Sequence, residues 1–157
     1  MIDSMSAPFL GRTAAYADRF ERIGVIADPD SVARVREEFA SWLGEFFEFG
    51  ANRASDAVLA IYEALANTAE FAYLSAGRPG TVDVKASHDP VESSLTVTVA
   101  DRGLWRTAAP TPGDRSRGRG IALMKALADR SSIQTSTGGT LVRLYWARVH
   151  PAGTSRH

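Results

Sequence analysis

At 157 residues, with 45% hydrophobic and 23% charged content, the chain has the length and composition of one soluble globular domain. Lys and Arg number 18 and Asp and Glu number 18, and this zero formal charge argues against a general nucleic-acid binder, which needs a basic surplus to displace phosphate counterions. Cysteine is absent, which rules out disulfides and thiolate metal sites, and two of the three histidines sit in a polar tail, which argues against a zinc centre.

No stretch approaches the about 18 apolar residues of a membrane span, and the start Met1-Ile2-Asp3-Ser4-Met5-Ser6 lacks the basic and apolar regions of a signal peptide. A cytoplasmic protein with no membrane partner is expected. Residues 1–13 read as a flexible arm, residues 14–149 as the folded domain and residues 150–157 as a flexible tail.

Ala14 to Ile26 alternates weakly, with Phe20, Ile23 and Val25, and reads as an edge strand. Asp28-Pro29-Asp30-Ser31 has the chemistry of a helix start, and Val32, Val35, Phe39, Trp42, Leu43 and Phe46 follow at spacings of three and four. Gly50-Ala51-Asn52 breaks that helix. A second helix is expected from Ala54 to Leu74, with Val58, Tyr62, Leu65, Ala69 and Ala72 on one apolar stripe and Asp56, Glu63, Asn67 and Glu70 on another face. Ser75 to Gly80 closes it.

Thr81 to Ala86 and Ser94 to Ala100 alternate as an antiparallel strand pair, joined by a turn at His88-Asp89-Pro90. Thr107 to Arg117 is a loop rich in Pro, Gly, Ser and Arg. Ile121 to Asp129 has the period of a short helix. Ser132 to Ser136, the turn Thr137-Gly138-Gly139-Thr140 and Leu141 to Val149 complete a final hairpin. Trp42, Phe46, Phe47 and Phe49 cluster near the end of the first helix and read first as core, although not all can point inward from one helix and an exposed subset would suit a dimer or partner surface. The order of elements predicts an α+β two-layer sandwich, a mixed, mostly antiparallel sheet covered on one face by helices.

Three motifs carry chemistry. Glu63 and Asn67, four apart, share one helical face about one turn apart. A carboxamide oxygen there can ligate a hard cation and a carboxylate can take a proton, although a solvated polar face has the same pattern. Asp101-Arg102-Gly103 follows an apolar strand, so the carboxylate can accept a hydrogen bond from an exocyclic amine while Gly103 lets a flat ring approach the backbone; an ordinary Asp-x-Gly turn reads alike. Gly118-Arg119-Gly120, ahead of the helix at Ile121, offers unobstructed backbone N–H groups at a positive helix end, an arrangement suited to phosphate. It is neither a dinucleotide fingerprint nor a P-loop, since a third glycine and a Gly-Lys-Ser/Thr are both missing.

Taken in order, a helix with Glu-x-x-x-Asn, a strand ending in Asp-x-Gly, a variable lid, Gly-x-Gly at a helix and a closing Gly-Gly-Thr resemble the GHKL-type ATPases. Within these the stretches Tyr62 to Asn67, Ala100 to Trp105 and Gly118 to Asp129 are similar to the anti-sigma factor serine/threonine kinases, and the resemblance spans Phe20 to Arg148. It implies Asn67 as a Mg²⁺ ligand and Glu63 as the catalytic base. It further implies Asp101 and Gly103 at the adenine, Arg117, Gly118, Arg119 and Gly120 at the phosphates, Thr140 in the adenine-end network and residues 104–117 as the ATP lid. Phe71 stands where many relatives carry His, and the lid has arginines but no lysine, leaving Arg115 and Arg117 to neutralise the transferred group.

The resemblance implies a homodimeric anti-sigma factor that sequesters a sigma factor and uses ATP and Mg²⁺ to phosphorylate an anti-anti-sigma partner. The alternative is a non-catalytic module that binds a sigma factor with ATP structural or absent. At this length no separate sensor, dimerisation or DNA-binding domain is expected, and the sequence shows no helix with a phosphoacceptor His ahead of the motifs, which argues against the ATPase half of a sensor histidine kinase.

Overall fold

The structure is a computed structural model that describes residues 18–72, 80–103 and 115–153, with 71–72 and 115–120 as backbone only. The arm at 1–13, the beginning of the first strand, the end of the second helix and its turn at 73–79, the lid residues 104–114 and the tail residues 154–157 lie outside the described residues.

Strand β1 runs over Arg19–Ile26, helix α1 over Pro29–Phe46, β2 over Phe47–Glu48 and helix α2 over Ala51–Asn67. A π turn at Thr68–Ala72 follows α2. Then come β3 (Thr81–Asp89), β4 (Ser94–Asp101), helix α3 (Arg115–Leu127), β5 (Arg130–Ser136), β6 (Gly139–Trp146) and β7 (His150–Pro151). Five strands form one sheet in the order β1-β3-β4-β6-β5, with every pairing antiparallel. The α+β sandwich expected from the sequence is therefore the fold, with the sheet wholly antiparallel among the described strands.

Alternation fixes which side of the sheet meets the helices. The register aligns Ala86, Val97 and Leu144 in one cross-strand row and Val84, Val99 and Val142 in the next. All six are buried. The intervening Lys85, Ser87 and Arg143 are exposed, as expected for an antiparallel sheet with one wet face. Val32, Val35, Phe39, Trp42 and Leu43 of α1 and Ala57, Ala60, Ile61, Ala64 and Leu65 of α2 fill the other layer.

Helix α1 starts where its sequence demands. The Asp28 side chain accepts a hydrogen bond from Ser31 N at 2.8 Å, and Pro29 occupies the first turn, where its missing N–H is not needed. Helix α2 begins at Ala51, ahead of the expected Ala54, because Gly50 with φ +79 takes the cap position. Its buried stripe passes through small alanines instead of the expected Val58 and Tyr62, which are only half-buried. Alanine is weakly apolar, so the pattern of large residues drew attention to the flank of that face.

Two further expectations are corrected. His88 does not lie in a turn: β3 continues to Asp89, and the turn falls on residues 90–93, where Asp89 Oδ1 accepts from Val91 N at 2.9 Å and Glu92 N at 3.3 Å. His88 is in phase with Val82, Val84 and Ala86 and is buried, with Nε2 2.6 Å from the Val149 carbonyl. His150–Pro151 is also not a frayed end, since it pairs with Phe47–Glu48 in a small second sheet. The aromatic cluster is core, the reading favoured from the sequence, and the alternative of an exposed subset does not arise among these four residues. Helix α1 stops at Phe46 and the chain turns extended, so Trp42, Phe47 and Phe49 are all buried and Phe46 is partly so.

Candidate functional site

The ends of β4 and β6 and the end of α2 bring four buried polar side chains to one region. Asp101 is the last residue of β4, and by alternation it continues the inward series Leu95, Val97 and Val99. Directly across the ladder stands Thr140, in phase with Val142, Leu144 and Trp146. Asp101 is 7% exposed and Thr140 3%. A carboxylate and a hydroxyl at positions that would otherwise hold core side chains cost desolvation, so they mark a place where the fold gives up apolar packing for polar chemistry.

The Asp101 carboxylate is held at both oxygens. Gly103 N–H donates to Oδ1 at 2.9 Å, and Thr68 Oγ1 donates to Oδ2 at 3.3 Å. Thr68 is the first residue of the π turn, a type of helix irregularity often found at functional sites. Asn67, the last residue of α2, is 6% exposed, and its Nδ2 has no hydrogen-bond partner among the described residues. The Thr140 hydroxyl has none among them either. Buried polar atoms are nearly always satisfied, so two unmatched groups beside one another's elements point to a ligand that completes them.

Glu63 lies one turn before Asn67 on α2 and is half-buried, and no hydrogen bond or ion pair engages its carboxylate among the described residues. A carboxylate so disposed is available as a proton acceptor. Asn67 suits a single-ligand role toward Mg²⁺. Its two amide ends exchange by a half-turn of the side chain, so the buried position can present oxygen. Among the described residues no group of three or more His, Asp and Glu lies together to hold a metal, so a cation here would need phosphate oxygens and water for its other ligands, a common arrangement for Mg²⁺.

Gly139 was missed in the sequence. It opens β6 with φ +134, and a Cβ there would come 1.9 Å from the Asp101 carbonyl oxygen and 2.7 Å from Arg102 Cα. Only glycine allows the β5–β6 turn to lie against the end of β4, and the Gly-Gly pair preceding Thr140 was its signal. Thr68 was missed as well, for a long-range hydrogen bond leaves no local pattern.

The glycine motif is corrected in one respect. Helix α3 starts at Arg115, so Gly118 and Gly120 lie in its first two turns and do not form a loop ahead of Ile121. Each glycine costs about 1 kcal/mol relative to alanine in a helix, but Arg115, Arg117 and Arg119 are good helix formers, and the packing of Met124 anchors the continuation. The first four N–H groups of a helix lack intrahelical partners, so the amide of Gly118 still belongs to the positive end while that of Gly120 enters the ladder. The side chains of Arg117 and Arg119 lie outside the described residues. A separate groove of about 1220 Å³ between β1 and α1, lined by Phe20, Arg22, Glu38 and Trp42 among others, includes none of these candidate residues.

Comparison with known proteins gives the family and the fold. A family model described as the histidine kinase-like ATPase domain matches residues 25–146, and the chain belongs to that family. Its fold is the GHKL-type ATPase fold. Among solved structures it is similar to the RsbU and RsbW domains of Rv1364c from Mycobacterium tuberculosis, with a TM-score of 0.65 and 24% identity over 85% of this chain and 33% of that one. It is also similar to the SiaB–SiaC complex from Pseudomonas aeruginosa, with a TM-score of 0.54 and 12% identity over 87% of this chain and 95% of that one. The chain thus spans a third of the first of these and nearly all of the second. No helix among the described residues is long and apolar enough to cross a membrane.

Proposed function

We propose that the chain binds ATP with Mg²⁺ and transfers its γ-phosphoryl group to a serine or threonine of an anti-anti-sigma partner, while in its other role it sequesters a sigma factor. The observation that carries the nucleotide part is the buried set Asp101, Thr68, Thr140 and Asn67 in a fold of ATPase domains. Asp101 would accept the adenine amine, Thr140 would bond the same end of the ring system, and Gly103 would leave room for the ring. The amides at the start of α3 would face the phosphates, together with Arg117, Gly118, Arg119 and Gly120.

In the transfer step, Glu63 would take the proton of the attacking hydroxyl as its oxygen bonds to the γ-phosphorus, and the bond from that phosphorus to the β–γ bridging oxygen would break to release ADP. Asn67 would hold a Mg²⁺ ion on the phosphate oxygens, where its charge offsets theirs. Arg115 and Arg117 are the side chains proposed to neutralise the moving phosphoryl. The kinase and partner assignments rest on the family resemblance and on Glu63. The similarity to RsbW domains and to a protein held in a two-protein complex supports them.

The test is transfer of label from γ-labelled ATP to candidate anti-anti-sigma proteins. Glu63→Gln is expected to lower the rate at least about 100-fold with ATP affinity kept within a few-fold, the scale of a lost general base. Unchanged transfer would sink the assignment of Glu63. Sigma-factor binding with no transfer by the unaltered protein would favour the non-catalytic module.

A further inference from the structure

Thr68 makes a choice that an ordinary helical threonine does not face. A threonine near a helix end commonly returns its hydroxyl proton to the carbonyl four residues back, and Thr68 Oγ1 does lie 3.3 Å from Ala64 O. It also lies 3.3 Å from Asp101 Oδ2, across 33 residues of sequence, in a region where Thr68 is 2% exposed. A hydroxyl carries one proton, and an ionised carboxylate is the stronger acceptor. The π turn places Thr68 at the carboxylate just where α2 departs from regular geometry.

The second oxygen is fixed from the other side, by Gly103 N–H at 2.9 Å. A carboxylate gripped at both oxygens cannot rotate about its Cβ–Cγ bond without losing one donor. It is therefore held as an acceptor in one plane. An acceptor in that state attracts the exocyclic amine of a 6-aminopurine and repels the carbonyl oxygen of a 6-oxopurine. A carboxyl free to turn loses that contrast.

We infer that Thr68 is a positioning residue for purine discrimination, its hydroxyl holding Asp101 in the orientation that selects a 6-amino over a 6-oxo base. This rests on Asp101 being the base-recognition residue. Thr68 need not touch the nucleotide. The neighbouring Asn67 is assigned to the metal and phosphates, so one turn of backbone sets the contacts at both ends of the same ligand.

The experiment is isothermal titration calorimetry of the whole chain with the Mg²⁺ complexes of ATP, GTP and purine riboside 5′-triphosphate, which lacks the 6-amino group. Wild type, Thr68→Val, Thr68→Ser and Asp101→Asn are compared after circular dichroism confirms folding. Thr68→Val is expected to weaken ATP about ten-fold, the scale of one hydrogen bond to a charged group, and to narrow the ATP-to-GTP ratio accordingly. It should leave the purine riboside triphosphate within two-fold, and Thr68→Ser should restore wild-type selectivity. Where Val fails to fold, Thr68→Ala is read in its place with the same outcomes. Unchanged selectivity in Thr68→Val, or equal losses for all three nucleotides, overturns the inference, since a purely structural role moves all of them together. If wild type binds ATP but Asp101→Asn binds it equally well, the base-recognition assignment itself fails, and that result is distinct from a failure of Thr68 alone.

Discussion

The residue scale is decided by who can stand next to Asp101. Its carbonyl is pressed upon by Gly139, where a methyl group would sit 1.9 Å from that oxygen. Gly139→Ala must therefore move either the β5–β6 turn or the end of β4, and it adds the strain of a side chain at φ +134. The expected outcome is a clear drop in melting temperature together with loss of nucleotide binding. The adjacent Gly138→Ala serves as the control, because its Cβ would meet only Ser136 Oγ at 3.7 Å, an ordinary contact. Equal effects at both positions would contradict the close-packing account. Asp101 and Asn67 could be singled out from the residues because each stands at a set spacing on an element with a strong period, whereas Thr140 was named only through the family resemblance. Thr68 and Gly139 were not legible in the sequence, for their roles arise from a contact across 33 residues and from the approach of two strand ends.

At the scale of elements, the sheet and helix types were readable wherever large apolar residues kept period. They failed where small or polar residues carry the buried face. Helix α2 buries Ala57, Ala60 and Ala64, which periodicity undervalues, and β3 buries His88, which reads as a turn residue beside Asp89-Pro90. Helix α1 was read correctly at its start, and its cap gives a prediction with a sign. The Asp28 carboxyl is held below its ordinary value of 3.8, first by the Ser31 backbone N–H, then by the Ser31 side chain, with Arg34 adding a smaller favourable charge. A carboxyl with a lowered folded-state value contributes stability that is present above its unfolded value and is lost as pH falls through the folded one. Asp28→Ala should therefore melt lower than wild type at neutral pH. The gap should close as the pH drops below about 4, when wild type loses the ionised cap. Thermal scans from neutral pH downward check this, and a gap that stays constant would contradict it.

For the whole molecule, the aim of the architecture is to end several elements at one place. The apolar rows Ala86–Val97–Leu144 and Val84–Val99–Val142 build the platform, and the next inward row, Val82–Asp101–Thr140, becomes polar at the sheet's end. There α2 also ends, at Asn67 and Thr68. A ligand that bridges these ends binds the folded state alone and so must stabilise it, by about 2.7 kcal/mol at a concentration 100 times its dissociation constant. The most direct measurement is the melting temperature with and without saturating Mg²⁺–ATP, for wild type and for Asp101→Asn. The account predicts a rise of several degrees in wild type and almost none in Asp101→Asn, with the two unliganded proteins melting as cooperative folds. An equal rise in both, or no rise in wild type, would contradict an ATP site at the ends of β4, β6 and α2.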